Sequence, residues 1–435
     1  MSKSASLPLP PGPRPWPIIG SMFQMGKFSH RYFAQLAKKY GSPIVHVRLG
    51  YTSWIVVHTP EIAMEILKTR DVEFAYRPPS VLSEHFGFGY QSIATRQHTD
   101  ATWRHLRKLC ATSIFTTSSL RHSAALRQEE TASMISTIRS TAINGGSTFA
   151  IKTRTVISET NMNILSRLLF GKKYFGEAQS YGPEAAAFRT ILEQVKKEIG
   201  NSIHIGDLFP MLRRLDPQGT ERNLRDQDMM LAGSDTGTIS LEWALSELIR
   251  HPHQLSRVQE EIDNVVGQNR LVQESDLPYL PYLNAIFKET LRLHPPAPFL
   301  IPHYSPVASH LEGYKVLAGS NMIVNAWAIG RDPTLWTNPE EFNPERFLET
   351  DIEFVGGKQF QLLPFSSGRR QCPGYPLATI QNPLILASLI HSFNWGPPAG
   401  QRSEDINMDE SMGLSLYKAI PLEATVSYRL IKFLE

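Results

Sequence analysis

Cysteine is scarce: Cys110 and Cys372 are the only two in 435 residues. That excludes a disulfide-stapled fold, leaves room for one bridge, and fits a reducing compartment better than an oxidising one. No run of about 18 apolar residues occurs, so nothing in the chain reads as a membrane-spanning helix. The opening MSKSASLPLPPGPRPWPIIG has no apolar stretch of the kind a signal peptide needs. A dominant charge sign is missing too: 44 Lys and Arg against 41 Asp and Glu leave +3. This is too little to argue for nucleic acid as a partner, although local basic clusters could dock an acidic one. There is no internal repeat and no clean linker between halves. What remains is ordinary globular material, 41% hydrophobic, 20% charged and 10% aromatic. The length suits one large domain or two or three small ones.

Proline crowds the start. Pro8, Pro10, Pro11, Pro13, Pro15 and Pro17 remove donors and fix backbone angles, so residues 1–20 read as a stiff extended lead-in. Alone, it could be a linker or a ligand for a module that reads polyproline. FSHRYFAQLAKKYG then reads as a helix, capped by Ser29 and stopped at Gly41. PIVHVRLGYTSWIVVHT is two alternating runs around Gly50, a hairpin. Helical patterns dominate from Pro60, and strand-like pieces return at GYKVLAGSNMIVNAW and near the C-terminus. The class is mainly α with a small β portion.

Four stretches carry chemistry. The first is QLLPFSSGRRQCPGYPLATI, with Phe365, Gly368, Arg370, Cys372 and Gly374 at fixed spacing. A lone cysteine is most often a small buried hydrophobe. Here Gly368 permits a tight turn or close approach, and Pro373 suits the first position of a helix that Pro383 should kink. A cysteine at a helix N-terminus meets orphan N–H groups and the positive dipole end, which favour thiolate. Such a thiolate is a good axial ligand for haem iron. Arg370 could neutralise a haem propionate, and Phe365 could pack beside the sulfur.

The second stretch, FKETLRLHPP, puts Glu289 and Arg292 at i and i+3 on a helix stopped by Pro295 and Pro296. That spacing usually means a surface ion pair of little worth. NPEEFNPERF adds Arg346, and one carboxylate shared by two arginines would be a buried network holding a long loop. The third, LAGSDTGTISLEWALSELIRHP, has a helical stripe at Leu241, Leu245, Leu248 and Ile249. Ala232 and Gly233 leave room for something large. Asp235 and Thr236 form an acid–hydroxyl pair where a proton relay could run, or else simple turn chemistry at a helix start. Asp235-Thr236-Gly237 is also the tripeptide of aspartic proteases, but that chemistry needs two such carboxylates. The chain holds one copy, leading into a helix. The fourth, TWRHLRKLC, sets Trp103 and Arg107 one helical turn apart, able to face one anionic group. Read alone, its Arg104, Arg107 and Lys108 make only a solvated basic helix.

Together these residues resemble the cytochrome P-450 superfamily of haem-thiolate monooxygenases, from LPPGPRPWPIIG to MDESMGLSLYKAIPL. KETLRLHPPAP, WAIGRDP and LPFSSGRRQCPG are similar to plant microsomal members, the group that holds flavonoid and phenylpropanoid hydroxylases. The resemblance implies one large catalytic domain over residues 21–435 and haem b ligated by Cys372 in the loop Phe365 to Gly374. It implies propionate contacts from Trp103, Arg107 and His303, and a structural network of Glu289, Arg292 and Arg346. Asp235 and Thr236 would manage protons while one oxygen atom of O₂ enters an apolar or phenolic small molecule of secondary metabolism. NADPH would supply electrons through a reductase. Family members sit on the cytosolic face of the endoplasmic reticulum membrane. The anchor helix that precedes their proline hinge is absent here, so a soluble form is an expectation as well.

A second departure lies inside the chain. After RRLDPQGTERNLR the family continues through further helices, whereas here DQDMMLAGSDTGT follows at once. Roughly 60–80 residues, several helices' worth, are missing near 222–228. Part of the distal lid would go with them. A less weighty departure is RQHTDATWR, which is less apolar than expected beside haem. The alternative to an active enzyme is therefore a haem-binding pseudoenzyme that lost catalysis with its lid. Candidate pocket residues lie in PSVLSEHFGFGYQ, at Ala297 to Leu300 and at Met412 to Leu416.

Overall fold

The computed structural model describes residues 7–26, 29–87, 89–145, 149–176, 204–215, 231–355, 360–413 and 415–430. The long helices among them are α1 (Ser29–Tyr40), α2 (Ala101–Leu109), α3 (Ala124–Gly145) and α4 (Thr153–Phe170). They continue with α5 (Leu231–Arg250), α6 (Pro252–Val266), α7 (Pro281–Leu293) and α8 (Tyr375–Ser392). Helix dominates and the sheets are small, as the sequence pattern requires.

The hairpin at Gly50 is β1 (Ile44–Leu49) with β2 (Thr52–Val57), paired antiparallel. β3 is Phe149–Lys152, β4 His303–Ser305, β5 Ser309–Leu311, β6 Tyr314–Val316 and β7 Ser320–Val324. β8 is Phe393–Gly396, β9 Glu410–Met412, β10 Leu416–Lys418 and β11 Glu423–Tyr428. One sheet runs β1-β2-β7-β4, another β3-β11-β8, and β5-β6 and β9-β10 are separate hairpins.

The largest core cluster is helical. In α5, Leu241, Ala244, Leu245, Leu248 and Ile249 are all buried, and in α8 so is the whole run Leu384 to Ile390. A helix buried on every side belongs at the centre of a domain. A second cluster lies between the β1-β2-β7-β4 sheet and the helical segment 60–69, with Phe360 and Leu363 from the cysteine loop's approach packed into it. The cysteine loop thus leaves the sheet side of the molecule and enters the helical side through α8.

Two sequence expectations change. The proline lead-in is a docked segment, since the His46 N–H donates to the Pro11 carbonyl at 2.9 Å and the Lys315 N–H to the Pro8 carbonyl at 2.8 Å. Gly12 makes that docking possible: a Cβ there would stand 1.8 Å from the His46 oxygen. A linker or a free polyproline ligand would carry no such bonds. In α8 the first turn belongs to Pro376, with Gly374 as N-cap, so Pro373 lies outside the helix. The helix also runs on through Pro383 to Ser392.

Candidate functional site

Cys372 is held by a loop with two left-handed residues, Ser366 (φ 59°) and Gly368 (φ 65°). Any Cβ on Gly368 would fall 1.7 Å from the Leu67 carbonyl oxygen, so only glycine closes this turn against its neighbour. The Cys372 N–H donates to the Phe365 carbonyl at 2.9 Å. The Phe365 ring sits between Phe354, at 5.8 Å, and Tyr375, at 6.3 Å. Phe354 also touches Phe287 of α7 at 5.7 Å, so aromatic contacts tie the loop to that helix.

Burial pushes the Cys372 thiol up, while the backbone N–H groups of Gly374 and Tyr375 and the nearby Arg107 pull it down. Burial wins. The expected pull toward thiolate from the N–H groups at the helix start is present, and burial opposes it. Cys110 and Cys372 are both free thiols, so the one bridge that two cysteines allow is not made.

Beside the loop lies a group of cations. Arg370 donates to the carbonyls of Ala75 at 2.8 Å and Arg96 at 2.7 Å, and its guanidinium lies 4.7 Å from the Trp103 ring centroid. Its Nη1 is buried without a partner. Trp103 donates to the Ile93 carbonyl at 3.0 Å, and Arg107 donates to the Gln371 carbonyl at 2.7 Å while lying 5.8 Å from the same Trp103 ring. Nδ1 of His303 is 3.1 Å from the Phe74 carbonyl. The structure adds Arg77, which donates to the carbonyls of Ala94, Ile301 and Pro302 at 3.0, 2.8 and 2.6 Å.

Among the described residues no carboxylate pairs with Arg77, Arg107 or Arg370. Burial and mutual repulsion push these groups down: Arg370 to about 10, Arg77 well below its usual range, and His303 far enough to be neutral. His98 is lowered for the same two reasons. A buried set of cations that meets only carbonyls calls for an anion. A dianionic porphyrin ligated by Cys372 meets that demand, with the Arg370 Nη1 as a waiting donor, so the residues fit haem. Arg77 escaped the sequence reading because YRPP carries no spacing motif; only the fold brings it to Arg370.

Glu289 and Arg292 are both fully buried and make a bidentate pair at 2.6 and 2.7 Å. Arg346 donates to the same carboxylate at 3.1 Å, and so does the Asn343 N–H at 2.8 Å. Arg292 also donates to the carbonyls of Pro339 and Glu341 at 2.7 and 3.0 Å. The usual meaning of i,i+3 spacing, an exposed pair, is excluded by burial.

On the other side, Asp235 and Thr236 sit in the second turn of α5 and are helical, so turn chemistry at a helix start is not their role. The Asp235 carboxylate accepts a hydrogen bond from the Tyr417 hydroxyl. A Cβ on Gly237 would stand 2.9 Å from Oδ1 of Asn382 and 3.2 Å from Nδ2 of Asn161. Of the candidate pocket pieces, Met412 to Leu416 lies beside the segment preceding Ala297, since the Leu416 N–H donates to the Pro296 carbonyl at 2.9 Å, while the Val81 N–H donates to Asp207 at 2.6 Å. Residues 216–230, with the proposed gap, lie outside the described set, as does Leu414.

A family model described as cytochrome P450 matches residues 10–227 and 220–422. Flavonoid 3'-monooxygenase of Petunia hybrida is 34% identical over 479 residues, covering 97% of this chain and 92% of its own length. Geraniol 8-hydroxylase of Catharanthus roseus is 34% identical over 477 residues, with 96% and 94% covered. Cytochrome P450 76C1 of Arabidopsis thaliana is 36% identical over 476 residues, with 96% and 91% covered. Each alignment is longer than the 435 residues of the chain itself, so each relative carries residues without a counterpart here.

Proposed function

The chain belongs to the cytochrome P450 family, a family of haem-dependent monooxygenases served by a reductase, and on that premise we propose that it hydroxylates an apolar or phenolic small molecule of plant secondary metabolism. The observation that carries the reading is Cys372 with the N–H groups of Gly374 and Tyr375 on its sulfur, beside cations bonded only to carbonyls. Haem b bound there supplies the iron chemistry that uses O₂ and electrons from NADPH. Cys372 would ligate the iron. Arg370, Arg107 and Arg77 would hold the porphyrin carboxylates by charge, with Trp103 stacked on two of these guanidinium groups and His303 beside them as a neutral imidazole. Asp235 and the Thr236 hydroxyl would hold and pass the proton. Glu289, Arg292 and Arg346 are structural.

The exposed apolar side chains Trp16, Ile18, Phe23 and Tyr51 belong to the lead-in and to segments next to or hydrogen-bonded to it, and Met211 follows the segment whose Leu208 carbonyl accepts from the Tyr51 N–H. They support a seat on the endoplasmic reticulum membrane surface. No described helix is long and apolar enough to cross a membrane. A second reading, a haem-binding pseudoenzyme, rests on length alone: the family model matches in two stretches, 10–227 and 220–422, and the relatives carry residues without a counterpart here.

The test is the reduced carbon monoxide spectrum of the expressed chain. A thiolate-type Soret band is expected, lost in Cys372→Ala. A normal band in that variant sinks the ligand assignment.

A further inference from the structure

Asp235 is tied to an element that the family motifs do not include. Tyr417, whose hydroxyl it accepts from, sits on β10, between the pocket candidates of the β9–β10 hairpin and α5. The strand is held from two sides. Nε1 of Trp243 donates to the Leu416 carbonyl at 3.2 Å, and Nη2 of Arg154 on α4 donates to the Lys418 carbonyl at 3.0 Å. The Arg154 guanidinium lies 5.6 Å from the Tyr417 ring centroid and is paired at 2.7 Å with the buried Glu242 of α5. Backbone, ring and hydroxyl of Tyr417 are therefore all fixed.

Among the described residues, Arg154 and Glu242 face this contact and are paired with each other. Glu410 of β9 turns away to His30, Arg31 and Trp327. Lys418 turns to the Trp243 ring and the Asn407 carbonyl. Burial, followed by the Asp235 charge, pushes the Tyr417 phenol far up, so it remains a neutral donor. A phenol donating to a carboxylate makes a charge-assisted bond, roughly twice as strong as a neutral one.

We propose that Tyr417 is a positioning residue for proton delivery. Its hydroxyl holds the Asp235 carboxylate turned toward the hairpin, so a proton reaches Thr236 only when this bond is exchanged. The proposal rests on the monooxygenase reading. It also ties the acid to the hairpin that carries pocket candidates.

The experiment compares haem-loaded wild type, Tyr417→Phe, Asp235→Asn and the double variant. Melting temperature is followed from neutral to acid pH, which needs no turnover. Wild type should exceed Tyr417→Phe near neutrality. The gap should narrow as Asp235 becomes protonated in acid and should lose its pH dependence in the Asp235→Asn background. The sign follows from linkage: a carboxylate held ionised stabilises above its unfolded pKa, and that is lost as it protonates. If Tyr417→Phe does not fold, wild type against Asp235→Asn carries the same test, because the amide still accepts from Tyr417 while the pH-dependent part disappears. With substrate, Tyr417→Phe should lower product per NADPH several-fold and change the solvent isotope effect on coupling, with no addition in the double variant. A gap independent of pH, or fully additive effects, overturns the proposal. Failure of the monooxygenase reading shows separately, as a missing carbon monoxide band.

Discussion

Glu410 illustrates how neighbours set the state of a single buried group. Burial alone would push its carboxyl up, but hydrogen bonds and charge from His30 and Arg31 bring it from an ordinary 4.5 down to about 2. It also accepts from Nε1 of Trp327 at 3.1 Å. One side chain of the β9–β10 hairpin thereby joins α1 to the short helix Ala326–Ile329. A depressed carboxyl stabilises the fold above its unfolded pKa and loses that contribution as pH falls through the folded value. Glu410→Gln should therefore cost on the order of 2–3 kcal/mol near neutrality, by the free energy attached to a pKa shift of this size. The gap between variant and wild type should close between about 4.5 and about 2. Denaturant unfolding at stepped pH checks this; a gap that persists unchanged in acid would assign the effect to packing.

Among elements, α7 matters most to the site, although it carries none of the proposed haem contacts. Its Glu289 and Arg292 bind backbone of residues 330–343 at four positions. Through Phe287 and Phe354 the same helix supports Phe365 of the cysteine loop. Removing one partner of a buried pair leaves an uncompensated charge, at about 3–5 kcal/mol. Glu289→Ala should yield little folded holoprotein, measured as haem per chain and melting temperature. Wild-type values in both would reduce the pair to a passive contact.

For the whole molecule the open matter is the distal wall. The cysteine loop, α7 and α8 stand on the proximal side, whereas the relatives carry residues without a counterpart in this chain. Haem–oxygen chemistry depends on a dry, shaped pocket. The chain should bind haem yet couple electron flow to product poorly. Inserting a related lid segment between Arg225 and Asp226 should raise both rate and coupling. Equal hydroxylation and coupling in the two chains would make the gap a harmless deletion.

Much was legible in the chain before any fold was known, because local rules write locally. Periodicity marked the hairpin at Gly50 and the helix after it, and the spacing from Phe365 to Gly374 marked the cysteine loop. Glu289 and Arg292 were visible as a pair, since i,i+3 neighbours meet on any helix. What made that pair buried, and gave it Arg346 as a third member, was the packing of residues far away in sequence. The same holds for Arg77 and Arg370, nearly three hundred residues apart in the chain, and for Tyr417 and Asp235. Docking of the proline lead-in on β1, the helix start at Tyr375 rather than Pro373, and the raised Cys372 thiol are likewise tertiary results. Burial and through-space charge depend on distances that the chain order does not encode, so only the folded molecule decides which groups pay for desolvation and which find a partner.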